Sequence, residues 1–180
     1  KSRNAKFAAR DSPFSTSRLA CLLIRGGSVA GKSDPILIVG GGLGGAAAAL
    51  ALGRKGYPVK ILEQAPELGV IGFGIQLGPN VFPMFDRLGV TDAVMASAIR
   101  PKAVMMVDSI DGGVIARVPT GESFLKRFKW PYIVIHRVDL HSALLDACAK
   151  LPNVETITNT TVTGYEDDGN RVSVQVRDGD

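Results

Sequence analysis

Three glycines and one glutamate have the residue types and the spacing of a site that binds a diphosphate. Gly40, Gly42 and Gly45 form the pattern G-x-G-x-x-G, and Glu63 follows 18 residues after the last glycine. In such a turn the first glycine allows a tight bend, the second lets the backbone approach a pyrophosphate, and the third lets a helix pack closely on a strand. The N–H groups at the start of that helix hold the anion, so the turn needs no lysine. These four residues therefore predict a dinucleotide site.

The elements on either side of the turn are in phase with it. Ile36–Val39 is a short apolar run typical of a buried parallel strand, an alanine-rich helix starts near Leu43, and a second strand runs from Val59 to Glu63. A carboxylate at the end of the second strand can accept both hydrogen bonds of a ribose diol, whereas a 2′-phosphate would meet a like charge. We therefore expect FAD or NAD rather than NADP, with Leu43 and Gly44 as further cofactor contacts. The alternative is a glycine-rich turn that only connects a strand to a helix, but it does not explain why the helix, the second strand and Glu63 also fall at the positions of the motif.

The composition is that of an ordinary globular protein and argues against several classes of function. The chain has 180 residues, 46% of them hydrophobic and 21% charged, which suits one domain with a substantial core. Residues 1–34 hold seven basic and two acidic residues, whereas the other 146 hold 14 and 15, so the net charge of +4 is concentrated in the leader. We therefore expect no nucleic-acid partner. The sequence has no run of 18 apolar residues, the length that a membrane-spanning helix needs.

Residues 1–34 differ from the rest of the chain. They are rich in Ser, Arg and Ala, as transit peptides are. Vector-derived or upstream sequence is the alternative, because the chain begins with Lys1 and has no methionine before Met84. We expect a disordered leader or a non-native extension, and a chain that is cut at both ends. Cys21 and Cys148 form neither a disulfide framework nor a metal motif, so we predict a cytoplasmic location without metal, or organelle import if the leader is genuine.

The pattern after Glu63 alternates helices with strands and gives an α/β fold. Residues 69–78 and 126–132 are expected to be loops, the second one solvated and basic with an aromatic anchor. The expected helices are 79–89, 91–98 and one carrying Leu140, Leu144, Leu145 and Cys148, and the expected strands are 103–107, 114–118, 132–135, 154–158, 161–165 and 172–176. A doubly wound parallel sheet would place 154–158 beside 59–63 and then 36–39, with the far edge of 36–39 open.

From about Pro35 onward the chain resembles the N-terminal part of class A FAD-dependent aromatic hydroxylases, which are flavoprotein monooxygenases. The resemblance is closest to members that act on hydroxybenzoate and salicylate. It rests on the blocks IVGGGLGGAAAALALGRKGYPVKILEQAPELG, GFGIQLGPNVFPMFDRLGV and PYIVIHRVDLHSALLDA. The first block fits many flavin and nicotinamide proteins, whereas the second and third are more specific to the hydroxylases.

The resemblance implies a fold and a set of cofactor contacts. The fold is the Rossmann-like, glutathione-reductase-type FAD-binding fold with a parallel sheet and a β-meander, so residues 35–180 are a partial FAD-binding domain that is incomplete at its C-terminus. By the same resemblance, Arg137 reaches the FAD phosphate or ribityl region. Gly72, Gly74 and Gln76 belong to a loop beside the flavin, and the backbone of Val162 meets the adenine.

The chain departs from the family pattern at several positions. Glu63 is followed by Gln64 where an arginine is common, so one contact beside the adenosine is lost, although Gln64 is kept as a candidate contact. The family's E-V-G-A-G loop has the bulky Phe73 at its usually small position. His136 and His141 are expected to be structural, because neither has an acid or a nucleophile at catalytic spacing.

The activity that the resemblance implies is hydroxylation of a small phenolic acid, with FAD as cofactor, NAD(P)H as co-substrate and O2 as oxidant. The full-length protein is expected to be a homodimer. The family's G-A-D-G and G-D segments and its catalytic residues would lie beyond Asp180, so no catalytic residue can be named. The alternatives are a non-catalytic nucleotide-binding fragment, which would bind FAD weakly and hydroxylate nothing, and an NAD-dependent dehydrogenase domain.

Overall fold

The structure is a computed structural model that describes residues 19–22, 34–68, 72–169 and 171–178. Strands and helices alternate along it, as expected for an α/β protein. Its elements are β1 (Leu19–Leu22), β2 (Ile36–Val39), α1 (Leu43–Gly53), β3 (Val59–Leu62), β4 (Gly74–Leu77), a 3-10 turn (Pro79–Val81), α2 (Phe82–Leu88), α3 (Thr91–Ser97), β5 (Ala103–Val107), β6 (Val114–Pro119), α4 (Glu122–Phe128), β7 (Ile133–His136), α5 (Arg137–Ala149), β8 (Val154–Ile157), β9 (Thr160–Asp167) and β10 (Val172–Asp178).

Strands β2, β3 and β8 form the parallel sheet in the predicted order. Val59 lies opposite Ile36 on one side and Val154 on the other, so β3 is the central strand. Its three apolar residues, Val59, Ile61 and Leu62, are buried, and Lys60 is the one residue of the strand that is not. Among the described residues β2 has β3 as its only strand neighbour, and Val39 at this edge is 62% exposed. The predicted strand order is therefore confirmed.

Helices α1 and α5 pack on each other and on the sheet to form the main core. Ala46 and Ala49 of α1 are fully buried, and Leu144 and Cys148 of α5 belong to the same cluster. Alanine has a short side chain, so the two helices lie close enough for the Cys148 thiol to donate to the Ala46 carbonyl at 3.4 Å. Burial raises the pKa of that thiol, which keeps it protonated. Cys148 is a small core residue, as predicted.

An aromatic cluster joins α2 to the segment before β7. Phe82 is fully buried, stacks on Trp130 with ring centroids 5.1 Å apart, and meets Phe85 edge-on at 5.8 Å. The 3-10 turn at Pro79–Val81 precedes α2, and Gly89 ends it in the left-handed region at φ +71. The predicted helix over 79–89 is therefore confirmed, with a tighter first turn.

The expectation that residues 69–78 form a loop is wrong at its C-terminal end. Residues 74–77 form β4, which pairs antiparallel with β7 and sets Ile75 opposite Ile135. Ile75 and Leu77 alternate with Gly74 and Gln76, and both apolar side chains pack against the core. The glycines around β4 concealed this period-two pattern, and residues 69–71 lie outside the described part.

The expected basic loop over 126–132 is wrong at its first three residues, 126–128, which belong to helix α4, whereas residues 129–132 lie outside any helix or strand. Phe124 and Phe128 are four residues apart, so they lie on one face of the helix with their rings 4.5 Å apart. The helix ends at Lys129, which has a φ of 65. The side chains of Lys126 and Arg127 lie in the last turn, where cations interact favourably with the helix dipole.

Two antiparallel hairpins complete the described chain. Strands β5 and β6 pair around Gly112, whose φ of +73 suits the predicted Asp-Gly-Gly turn. Strands β9 and β10 pair around Gly169, at φ +84. Both hairpins are therefore confirmed.

Apart from its last residue, Asp34, the leader is described only at β1, which pairs antiparallel with β10. For these four residues the expected disorder is wrong: the short apolar segment LACL lies along an edge of β10 that is otherwise unpaired among the described residues. The rest of the leader lies outside the described residues, so its origin stays a prediction. In the described ranges no helix is both long and apolar enough to cross a bilayer, and no group of His, Cys, Asp or Glu is placed to bind a metal ion.

Candidate functional site

The turn between β2 and α1 has the shape that its three glycines predict. Gly40 has a φ of +95 and donates its N–H to the Leu62 carbonyl at 2.8 Å, which fastens the turn to the end of β3. A Cβ at Gly45 would lie 1.9 Å from the Gly40 carbonyl oxygen, so only glycine allows α1 to pack this close to the strand. A Cβ at Gly42 or Gly44 would meet nothing within 4 Å. The outer side of the turn is therefore open space.

The carboxylate of Glu63 lies at the mouth of this turn. Its Oε2 accepts the N–H of Gly41 at 2.6 Å, and its Oε1 accepts the N–H of Ala65 at 2.8 Å. These backbone donors, first Ala65 and then Gly41, lower the pKa of Glu63 despite its partial burial. Glu63 is therefore ionised at neutral pH. Each carboxylate oxygen keeps a further lone pair, so the predicted contact to a ribose diol remains open to it.

A pocket of about 190 Å³ lies beside the carboxylate and reaches the first residues of β9. A backbone hydrogen bond from the Thr160 N–H to the Glu63 carbonyl, at 2.9 Å, joins the start of β9 to the end of β3. The pocket is lined by Val39, Gly40, Leu62, Glu63, Gln64, Thr160 and Val162. The structure thus brings two further predicted contacts, Gln64 and Val162, to the glycine turn, although they are 98 residues apart in the chain.

The other predicted contacts form a second group where β4 meets the start of α5. Arg137 donates its backbone N–H to the Phe73 carbonyl at 2.9 Å, and a Cβ at Gly72 would lie 3.0 Å from the Arg137 Cβ. Gly74 faces open space, and the side chain of Gln76 accepts a hydrogen bond from the Tyr132 hydroxyl. Gly72, Gly74, Gln76 and Arg137 are therefore neighbours on one side of the molecule. Phe73 itself is 81% exposed.

Helix α5 connects the two groups through a residue that the sequence did not assign to the site. His141 is buried, and its Nε2 lies 2.6 Å from the carbonyl oxygen of Gly41. It is four residues after Arg137, so both lie on the same face of the helix. This i, i+4 spacing was the available signal. His136 accepts the N–H of Val138 at 3.4 Å and caps the helix, which supports its structural assignment.

The arrangement suits a dinucleotide with an adenosine diphosphate end. The first turn of α1 directs N–H groups without helical partners, and the positive end of the helix dipole, toward the open space over Gly42. An ionised carboxylate lies beside that space, where it would meet sugar hydroxyls and repel a second phosphate. Besides His141, the sequence did not identify Gly41 and Thr160, which lie at the glycine turn and in its pocket. The role of each predicted contact in cofactor binding stays a prediction.

Comparison with curated proteins gives relatives of one activity class. A 3-hydroxybenzoate 6-hydroxylase from Polaromonas naphthalenivorans (strain CJ2) is 51% identical over 140 residues, which cover 78% of this chain and 35% of that protein. A second one, from Klebsiella oxytoca, is 44% identical over 138 residues, and a 6-hydroxynicotinate 3-monooxygenase from Pseudomonas fluorescens is 36% identical over 148. The chain thus spans about a third of the length of the curated relatives it matches.

Solved structures agree on the fold. The p-nitrophenol 4-monooxygenase PnpA from Pseudomonas putida DLL-E4 matches with a TM-score of 0.69 at 25% identity, over 79% of this chain and 35% of that one. A tetrameric form of 2-methyl-3-hydroxypyridine-5-carboxylic acid oxygenase matches with a TM-score of 0.68 at 25% identity, over 83% and 38%. The chain therefore has the Rossmann-like α/β fold of these monooxygenases. A family model described as FAD binding domain matches residues 34–180, and the chain belongs to that family.

Proposed function

We propose that this protein is the FAD-holding part of an NAD(P)H-dependent flavoprotein monooxygenase that hydroxylates a phenolic aromatic acid. The observation that carries the proposal is the open glycine turn with the ionised Glu63 at its mouth, in a chain that belongs to an FAD binding domain family. The 51% identity to a 3-hydroxybenzoate 6-hydroxylase supports a hydroxybenzoate-like substrate.

The described residues divide the work of holding the cofactor. The backbone at Gly42, Leu43 and Gly44 faces the diphosphate, since a side chain at either glycine would enter empty space rather than protein. Glu63 accepts hydrogen bonds from the adenosine ribose. The pocket that contains Gln64 and Val162 takes the remainder of the adenosine.

The second group acts toward the other end of the cofactor. Arg137 carries a positive charge at the start of α5, on the helix face that also meets the glycine turn through His141. Gly72 lets its segment pack against the start of α5, because a Cβ there would lie 3.0 Å from the Arg137 Cβ, whereas Gly74 leaves its side of β4 open. Gln76 is held by Tyr132. When bound, FAD would supply the electron transfer and the oxygen activation, and the residues here would bind it, orient it and limit its contact with water.

A single substitution in the turn tests the proposal. Gly42 has a φ of −67 and a ψ of −173, so Gly42→Val keeps an allowed backbone while its side chain enters the space assigned to the diphosphate. We expect protein from the complete reading frame to carry the absorbance of bound flavin and to oxidise NADH or NADPH when 3-hydroxybenzoate is added. The Gly42→Val protein should fold equally well, as judged by its melting temperature, and lose the flavin.

Gly44→Ala is the matched control, because its methyl group meets nothing within 4 Å and is too small to fill the space. It should keep at least part of the flavin. Flavin binding that survives Gly42→Val would contradict the assignment of the turn. A protein that binds NAD and no flavin would instead support an NAD-dependent dehydrogenase.

The oligomeric state and the cellular location of the protein are two further proposals. One of the matched monooxygenase structures is a tetrameric form. The mass of the protein in solution would distinguish the expected homodimer from such a tetramer. The cytoplasmic location is tested by fractionating the source cells.

A further inference from the structure

The Gly41 residue at the centre of the turn is held from two sides by side chains of two different elements. Glu63, after β3, accepts its N–H at 2.6 Å, and His141, in α5, lies with Nε2 2.6 Å from its carbonyl oxygen. Gly41 is itself buried, and a Cβ there would lie 2.7 Å from a methyl carbon of Leu68. Both hydrogen bonds therefore form within a tightly packed part of the turn.

The second hydrogen bond fixes the direction of the next N–H group. In a trans peptide the C=O of one residue and the N–H of the following residue point in opposite directions. His141 is 4% exposed and lies on the inner side of the turn, so the Gly41 carbonyl points inward. The N–H of Gly42 must then point away from His141, to the outer side of the turn, where a Cβ at Gly42 would also meet nothing within 4 Å.

We propose that His141 is a positioning residue of this turn: by donating Nε2–H to the Gly41 carbonyl, it directs the Gly42 N–H at the diphosphate of the bound dinucleotide. In its application to the ligand this inference rests on the proposed function. The carbonyl oxygen has no proton to offer, so Nε2 must carry one in every protonation state that keeps the hydrogen bond. His141 touches the backbone of the turn and acts through it.

The binding test compares variants of His141 with a matched change in the same helix. His141→Leu keeps an apolar side chain in a buried place and removes the donor, whereas His141→Gln offers an amide N–H. Cys148→Ala is the control, since Cys148 is also buried in α5 and bonded to a backbone carbonyl, that of Ala46, but lies two turns further along the helix. The measurement is the dissociation constant for FAD and for ADP with the full chain, beside the melting temperature.

We expect His141→Leu to raise both dissociation constants about tenfold, the scale of one lost hydrogen bond. His141→Gln should recover most of the affinity. Cys148→Ala should lower the melting temperature and leave both constants unchanged. Equal binding by His141→Leu and the original protein would overturn the inference, and so would a loss that His141→Gln does not reverse.

A second measurement needs no ligand and separates this inference from the proposed function. Nitrogen NMR of His141 should show the proton on Nε2, and hydrogen exchange at the Gly41 amide should be faster in His141→Leu than in Cys148→Ala. If the original protein binds neither FAD nor ADP, the proposed function fails, while these two readouts still decide whether His141 orders the turn. A ring with its only proton on Nδ1, or an unchanged Gly41 exchange rate, overturns the positioning role.

Discussion

The glycine turn and the β5–β6 hairpin are both short turns between regular elements, yet their surroundings are opposite. At the turn, Gly40, Gly41 and Gly45 are each fixed by a hydrogen bond or by close packing against a neighbouring element. Its one open side is the side that faces the proposed ligand. The precision of the turn therefore comes from the parallel sheet and from the helices on either side of it.

The hairpin has exposed apolar side chains on both of its faces. At its tip Ile110 is 94% exposed. The other exposed members are Val104, Met105, Met106, Val107, Val114, Ile115 and Val118. A two-stranded hairpin whose side chains pack on little else contributes little to stability. The contrast teaches that apolar composition alone does not locate the core, because these side chains are as apolar as Val59, Ile61 and Leu62 of β3 but bury far less area.

The largest difference between the two regions should appear when one apolar side chain is truncated in each. Phe82→Ala removes a fully buried ring that stacks on Trp130, and we expect it to lower the free energy of unfolding by about 3 to 5 kcal/mol. Ile115→Ala in the hairpin should change it by less than about 0.5 kcal/mol. Denaturation in urea measures both, and similar costs would remove the distinction between core and hairpin.

The next difference lies within the turn itself, between two adjacent glycines. Gly45→Ala places a methyl group 1.9 Å from the Gly40 carbonyl oxygen, and we expect a loss of about 3 kcal/mol because backbone has to move. Gly44→Ala adds a methyl group in open space within a helix, where alanine is favoured by up to about 1 kcal/mol. A Gly45→Ala protein as stable as Gly44→Ala would mean that α1 does not pack as described.

These glycines also indicate how much the sequence could predict. The positions of Gly40, Gly42, Gly45 and Glu63 followed from spacing, because each residue type has one geometric task in the motif. Strand β4 was missed because the glycines around it hid its alternation of apolar residues. Helix α4 was missed because basic residues hid its apolar face. His141 was missed because its partner is a backbone carbonyl 100 residues away, which the sequence does not indicate, and its i, i+4 spacing from Arg137 shows a shared helix face but not that contact.

The smallest expected difference is between two carboxylates. The pKa of Glu63 is lowered from the ordinary value of 4.5, so the ionised carboxylate stabilises the fold fully at pH values above 4.5. This contribution disappears as the pH falls through the lowered pKa of the folded state. Glu63→Gln should therefore cost about 1 to 2 kcal/mol at pH 7 and progressively less below about pH 4.5. Urea denaturation of both proteins across this pH range measures the change.

Glu155→Gln is the control for that comparison. Glu155 pairs with Lys60 at 2.8 Å, but its side chain is 57% exposed, so we expect less than about 0.5 kcal/mol. A Glu63→Gln cost that is no larger than this, or that does not shrink in acid, would mean that the hydrogen bonds to Gly41 and Ala65 do not hold the turn.

A crystal structure of the full-length protein with FAD tests the central claim most directly. The account predicts the diphosphate over Gly42, at the start of α1, with the carboxylate of Glu63 within hydrogen-bonding distance of the adenosine ribose and the adenine in the pocket that contains Val162. A diphosphate bound away from the glycine turn, or a ribose that does not approach Glu63, would contradict it.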